Sequence, residues 1–147
     1  MNIDQLREEL KIDEGVKYEI YLDHLHLCTF GIGHLVLSSD PEYGQPVGTP
    51  VSEERVNECF ESDVQQVLSD CKTLYPDFDT LPEEAQLIIA NMMFNMGRPR
   101  LSKFKNMKAA VDARDWHRAS VEMADSRWYQ QVTNRADRLC KRMRAIQ

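Results

Sequence analysis

No run of the 147-residue chain stays apolar for the roughly 18 residues that a membrane span requires, so no membrane insertion is expected. Its opening, MNIDQLREEL, lacks a basic segment followed by an apolar one. No secretory leader is therefore visible, and synthesis in the cytoplasm is the expectation. There is no C-x-x-C pair either: Cys28, Cys59, Cys71 and Cys140 stand far apart, with none of the Cys/His spacings of a zinc site. Free thiols and no metal or cofactor follow as expectations. Internal repeats and low-complexity tracts are absent, which excludes fibrous and disordered classes. Basic residues are scarce over positions 1–97, where 5 Lys and Arg face 19 Asp and Glu. The remaining 50 positions reverse this, with 13 against 5, so the net charge of −6 averages an acidic part and a basic part. Such a basic region suits an anionic partner, whether wall polymer, nucleic acid or lipid surface; the alternative is that the two parts neutralise each other on folding.

What is present reads as one α+β domain. Ile3, Leu6 and Leu10 have helical spacing, with Asn2 and Gln5 as a capping pair, so the first helix is expected over 2–11, and Gly15 suits its C-terminal stop. From Val16 the period becomes two, and residues 16–37 read as a β-hairpin or small antiparallel sheet. SSDPEYGQPVGTP is loop. Ser52 opens a long helix over 52–74, and Pro82 begins a nearly all-apolar helix that ends at Gly97. Three shorter helices are expected at 101–113, 115–124 and 133–145. The plan is an α+β lobe over 12–55, a connecting helix, and a helical lobe of 75–147 joined by the N-terminal helix, with a groove between lobes as the natural ligand site.

The chemistry concentrates in KIDEGVKYEIYLDHLHLCTFGIGHL. Glycosidic cleavage needs a proton donor at the leaving oxygen and a carboxylate serving the attacking water. Glu14 falls at a helix C-terminus, whose partial negative charge, with adjacent Asp13, favours the protonated acid. Asp23, at the hairpin turn, is more solvated and stays ionised, so the two acids divide into donor and base. Thr29 on the returning strand supplies a hydroxyl able to hold a water near Asp23. Gly31 and Gly33 mark either a bulge or a close approach to the backbone, for which a sugar ring is one candidate. His24 and His26 read as a solvated turn, and Met92, Met93 and Met96 as core filling. Trp128 and Tyr129 read as core or groove wall, and RADRLCKRMRAI as a solvated helix face rather than a nucleic-acid site.

IDEG, IY-x-D and T-x-GIGHL, followed in order by NMMFNMG, LSKFKNM and DSRWYQQVTNRADR, resemble the phage-type lysozymes of glycoside hydrolase family 24. The ordered set touches most of the chain except 38–51 and 70–84. The resemblance implies a lysozyme-like fold and a bacteriolytic muramidase acting as a monomer, without cofactor, on the β-1,4 bond between N-acetylmuramic acid and N-acetylglucosamine. It implies Glu14 as general acid, Asp23 as the carboxylate that assists water and Thr29 as its positioning hydroxyl. It also implies substrate binding by Phe30, Gly31, Asn95, Phe104 and Arg135, and a structural ion pair of His34 with Asp63. Asn95 stands where the family's type member has Gln, and Arg135 matches an Arg that approaches the acid, a cation whose effect on Glu14 opposes that of the helix end. The chain departs from that type member in being acidic overall and in having a shorter 38–51 loop. Two alternatives come from other classes. A lytic transglycosylase needs the Glu but neither Asp nor Thr, and a non-catalytic wall-binding module needs none of the three.

Overall fold

The computed structural model describes all 147 residues. They form two compact units, residues 4–66 and residues 1–3 with 67–147. The N-terminal helix, expected with the helical lobe, belongs from Asp4 onward to the first unit.

In that unit helix α1 (Ile3–Glu14) buries Leu6 and Leu10 completely, as their spacing predicts. It runs three residues beyond the expected end at 11. The ladder stops only where Gly15 turns left-handed (φ 71°), its N–H still bonded to the Lys11 carbonyl at 2.9 Å. Glu14 is thereby the last helical residue. Strands β1 (Lys17–Leu22), β2 (Cys28–Gly31) and β3 (His34–Leu35) follow as an antiparallel sheet in the order β1-β2-β3. The segment expected as a hairpin or small sheet over 16–37 forms three strands, because Gly31 (φ 64°) and Gly33 (φ 62°) take left-handed conformations and reverse the chain between β2 and β3. The loop after β3 returns to the outer edge of β1, where Gly48 N–H donates to Ile20 O at 2.7 Å and Val51 N–H to Tyr18 O at 2.9 Å. That edge is thus occupied rather than left open.

Helix α2 (Glu53–Leu74) begins where the Ser52 hydroxyl accepts the Arg55 N–H at 3.1 Å and ends before Pro76. Val56, Phe60, Val64, Val67 and Cys71 are buried along one side of it. In the second unit, α3 (Glu83–Met96) is buried continuously from Ala85 to Met93, consistent with a bundle centre. Around it come α4 (Arg98–Leu101), α5 (Lys105–Asp112), α6 (Trp116–Ala124), α7 (Arg127–Gln131) and α8 (Thr133–Arg144), with α8 packed on α3 and α6. The short helices α4 and α7 were not anticipated. Each is a turn or so long, too short to show apolar periodicity, although Ser126 caps α7 by accepting the Tyr129 N–H at 3.1 Å.

Candidate active site

Asp23, Thr29 and the turn between them form one hydrogen-bonded piece. Asp23 Oδ1 accepts the N–H of Leu25 at 2.8 Å and of Leu27 at 2.9 Å, while the Asp23 N–H donates to Leu27 O at 3.0 Å. The Thr29 hydroxyl donates to the same Leu27 carbonyl at 3.0 Å. The Leu27 backbone therefore orients both side chains. The consequence for chemistry is specific. Thr29 has spent its only hydrogen and is left with lone pairs, and Asp23 has one oxygen tied to the turn and Oδ2 remaining. Asp23 Oδ2 and the Thr29 hydroxyl, the latter 3% exposed, are thus left as acceptors. His26, in the same turn, holds a left-handed backbone (φ 60°), a conformation costly for a non-glycine residue.

Glu14 enters from the end of α1 against the turn between β2 and β3. A Cβ built on Gly33 would lie 2.7 Å from Glu14 Oε1, so the carboxyl rests on backbone that only glycine leaves open. The close visitor to Gly33 is thus the acid itself, not a sugar. At Gly31 the visitor is Val56, whose Cγ1 would be 2.9 Å from an added Cβ. Phe30 is fully buried, its ring 4.9 Å from that of His34, and offers no side-chain surface to a saccharide. Across the sheet, Tyr21 pairs with Thr29 and Thr29 with Leu35, so these three side chains rise from one face. Tyr21 and half-exposed Leu35 were missed by sequence reasoning, which followed acids and glycines. The usable signal was their strand parity with Thr29. Burial and then the charges of Glu14 and Asp23 push the Tyr21 phenol above its ordinary value, so both acids reach the same third group.

His34 Nδ1 lies 2.7 Å from Asp63 Oδ2, and its Nε2 lies 2.9 Å from Asp40 Oδ2. A carboxylate can only accept, so both contacts are satisfied together when the ring carries both protons and a positive charge. Burial works against that charge, yet the hydrogen bonds the ring makes to Asp63 and Asp40 outweigh it, and His34 titrates above its ordinary value. Arg55 completes the group by donating to Asp40 at 3.3 Å and to Glu42 at 3.0 Å. Cys59, on the same helix as Arg55, is held up at about 11 by burial. All four cysteines are free thiols, Cys28 exposed and the others buried.

The second unit carries the other expected binding residues. Asn95 Oδ1 accepts the Trp128 indole N–H at 2.7 Å. Phe104 meets Trp128 edge to face at 6.4 Å and lines an open hollow of about 200 Å³ with Lys103, Asn106 and Glu122. Arg135 Nε donates at 2.8 Å to Asn91 Oδ1, a side chain 1% exposed within the apolar α3. Asn91 was not singled out from sequence, though a polar residue inside an otherwise apolar helix is a signal that it holds something.

Residues 11–145 match the phage lysozyme family. The chain belongs to that family. Among individual proteins, the probable T4-type lysozyme 2 of Dictyostelium discoideum is 28% identical over 156 residues, covering 93% of this chain and 92% of its own. The pre-baseplate central spike protein Gp5 of Enterobacteria phage T4 is 30% identical over 152 residues, 91% of this chain but 26% of the spike. Peptidoglycan hydrolase gp36 of Pseudomonas phage phiKMV is 28% identical over 137 residues, 93% of this chain and 15% of its own. In both phage proteins the matching part is a small fraction of a much longer chain. Glu14, Asp23, Thr29 and Tyr21 all lie inside the unit of residues 4–66.

Proposed function

We propose that the chain is a muramidase that cleaves the β-1,4 bond between N-acetylmuramic acid and N-acetylglucosamine by general acid/base catalysis. Membership of the phage lysozyme family makes it a peptidoglycan hydrolase; the bond and the residue roles are our reading. Its main support is the acceptor-only pair made by Asp23 and Thr29 on the Leu27 backbone. A water between them gives one hydrogen to Thr29 Oγ1 and the other to Asp23 Oδ2, which turns a lone pair outward. Glu14 protonates the bridging oxygen as the bond from the anomeric carbon to that oxygen breaks. The water oxygen bonds to the anomeric carbon and its proton passes to Asp23. Release of product and proton exchange with solvent restore both acids.

Saccharide binding extends in this reading to Asn95, Phe104 and Arg135, and at Phe30 and Gly31 it is confined to the backbone. The enzyme works as a monomer on the bacterial wall after release or export. A transglycosylase expels the leaving group with the sugar's own hydroxyl and has no use for a water-holding pair, so Asp23 and Thr29 favour hydrolysis. The test is Glu14→Gln, which should fold normally and clear purified peptidoglycan at least a hundredfold more slowly, on the order of the loss of a general acid. Retention of about a tenth of the wild-type rate would remove Glu14 from the acid role.

A further inference from the structure

We propose that the Tyr21 hydroxyl is a saccharide-binding group of the reaction centre, donating a hydrogen bond to an oxygen of the sugar whose anomeric carbon is attacked. This rests on the hydrolase reading above and adds a residue to it. Tyr21 stands directly across from Thr29 in the β1–β2 register, and Asp23 follows it by two positions. Directly opposed residues of an antiparallel pair come off the same face with Cβ atoms about 5 Å apart, so the ring rises beside the hydroxyl that holds the water. Lys17 Nζ sits 4.3 Å from the ring centroid and covers one side of the ring.

The surroundings of the phenol decide what it can do. It is partly buried, and both Glu14 and Asp23 act on it through space, with no hydrogen bond to either. Burial and those charges push the phenol above its ordinary value, so in neutral solution it is a hydrogen-bond donor rather than a base. A phenol near two carboxylates satisfies itself most simply by donating to one of them. That it does not leaves its O–H for a neutral acceptor brought by a ligand. A saccharide brings such acceptors, its hydroxyls and N-acetyl carbonyl, whereas Thr29 and Asp23 present acceptors only. Tyr21 therefore supplies the complementary polarity: it holds the sugar while they hold the water.

The experiment compares Tyr21→Phe with wild type on soluble glycan strands, and compares Glu14→Gln with Glu14→Gln/Tyr21→Phe in calorimetric titration with a peptide-free peptidoglycan tetrasaccharide. Losing one neutral hydrogen bond should lower kcat/KM about tenfold and weaken tetrasaccharide binding by a similar factor, with Tm unchanged. Unchanged kcat/KM and affinity would overturn the proposal. So would a loss explained wholly by a smaller folded fraction, with activity per folded molecule intact, since that is packing. If wild type itself releases no reducing ends, the hydrolase reading fails. If wild type is active and Tyr21→Phe is unimpaired, only the role of Tyr21 does.

Discussion

Leu27 serves the candidate site through its backbone: its N–H holds Asp23 and its carbonyl holds Thr29. Glu14, Asp23 and Thr29 were legible in the sequence because they are chemical side chains within one short segment. The Leu27 peptide was not, because any residue but proline has the same backbone groups. Gly33 was legible as a glycine with a purpose but not as the resting place of Glu14, which requires the turn between β2 and β3 to meet the end of α1. Its geometry yields a prediction at this scale. Gly33→Ala combines a left-handed φ of 62° with a Cβ 2.7 Å from Glu14 Oε1. The backbone cost is about 1 kcal/mol, so Tm should fall by only a few degrees. Activity should fall at least tenfold, on the order of what misplacing a reacting group costs, because the carboxyl must move. Clearing assays and thermal melts on the same sample check both; an active Gly33→Ala enzyme would mean that Glu14 has room to spare.

Elements were legible where periodicity is long and hidden where it is short. The spans of α2 and α3 came within a residue or so of the expected bounds, since each carries several turns of apolar pattern and ends near proline or glycine. The split of the return strand into β2 and β3 turned on two glycine φ angles, and a strand of two residues leaves no pattern to find. Likewise His34 with Asp63 followed from family resemblance, but Asp40 comes from the loop where resemblance was silent. The resulting group joins β3, that loop and α2, and it sets a pH dependence of stability. His34 titrates above its ordinary 6.5, so its contribution is complete below that value and is lost as pH rises through the raised folded value. For Asp40, burial raises its value, but the Leu37 N–H, His34 and Arg55 outweigh it and hold it below the ordinary 3.8. Its contribution is present above 3.8 and is lost as pH falls through the depressed folded value. Thermal stability should therefore peak in mildly acid solution. His34→Asn should lower Tm by about 5 °C or more at pH 5.5, with a smaller deficit at pH 9. A deficit that does not shrink with rising pH would show that the ring acts there by packing and not by charge.

Across the whole molecule the acidic and basic residues separate along the chain, with a balance of −14 over positions 1–97 and +8 beyond. The proposed acid and base stand in the acidic stretch, and Arg135 with most of the other cations in the basic one. The overall plan was legible because family-like fragments recur in order from IDEG to DSRWYQQVTNRADR, and no single fragment would have sufficed. The division into units was not, because membership of the N-terminal helix depends on packing rather than on position in sequence. At this scale the proposed reaction turns on a water delivered to the anomeric carbon by Asp23 and Thr29. Digesting purified peptidoglycan in water enriched in heavy oxygen, followed by mass spectrometry of the soluble muropeptides, tests it most directly. The account predicts reducing N-acetylmuramic acid ends that each carry one solvent oxygen. Anhydro ends without solvent oxygen, or reducing ends on N-acetylglucosamine, would contradict it.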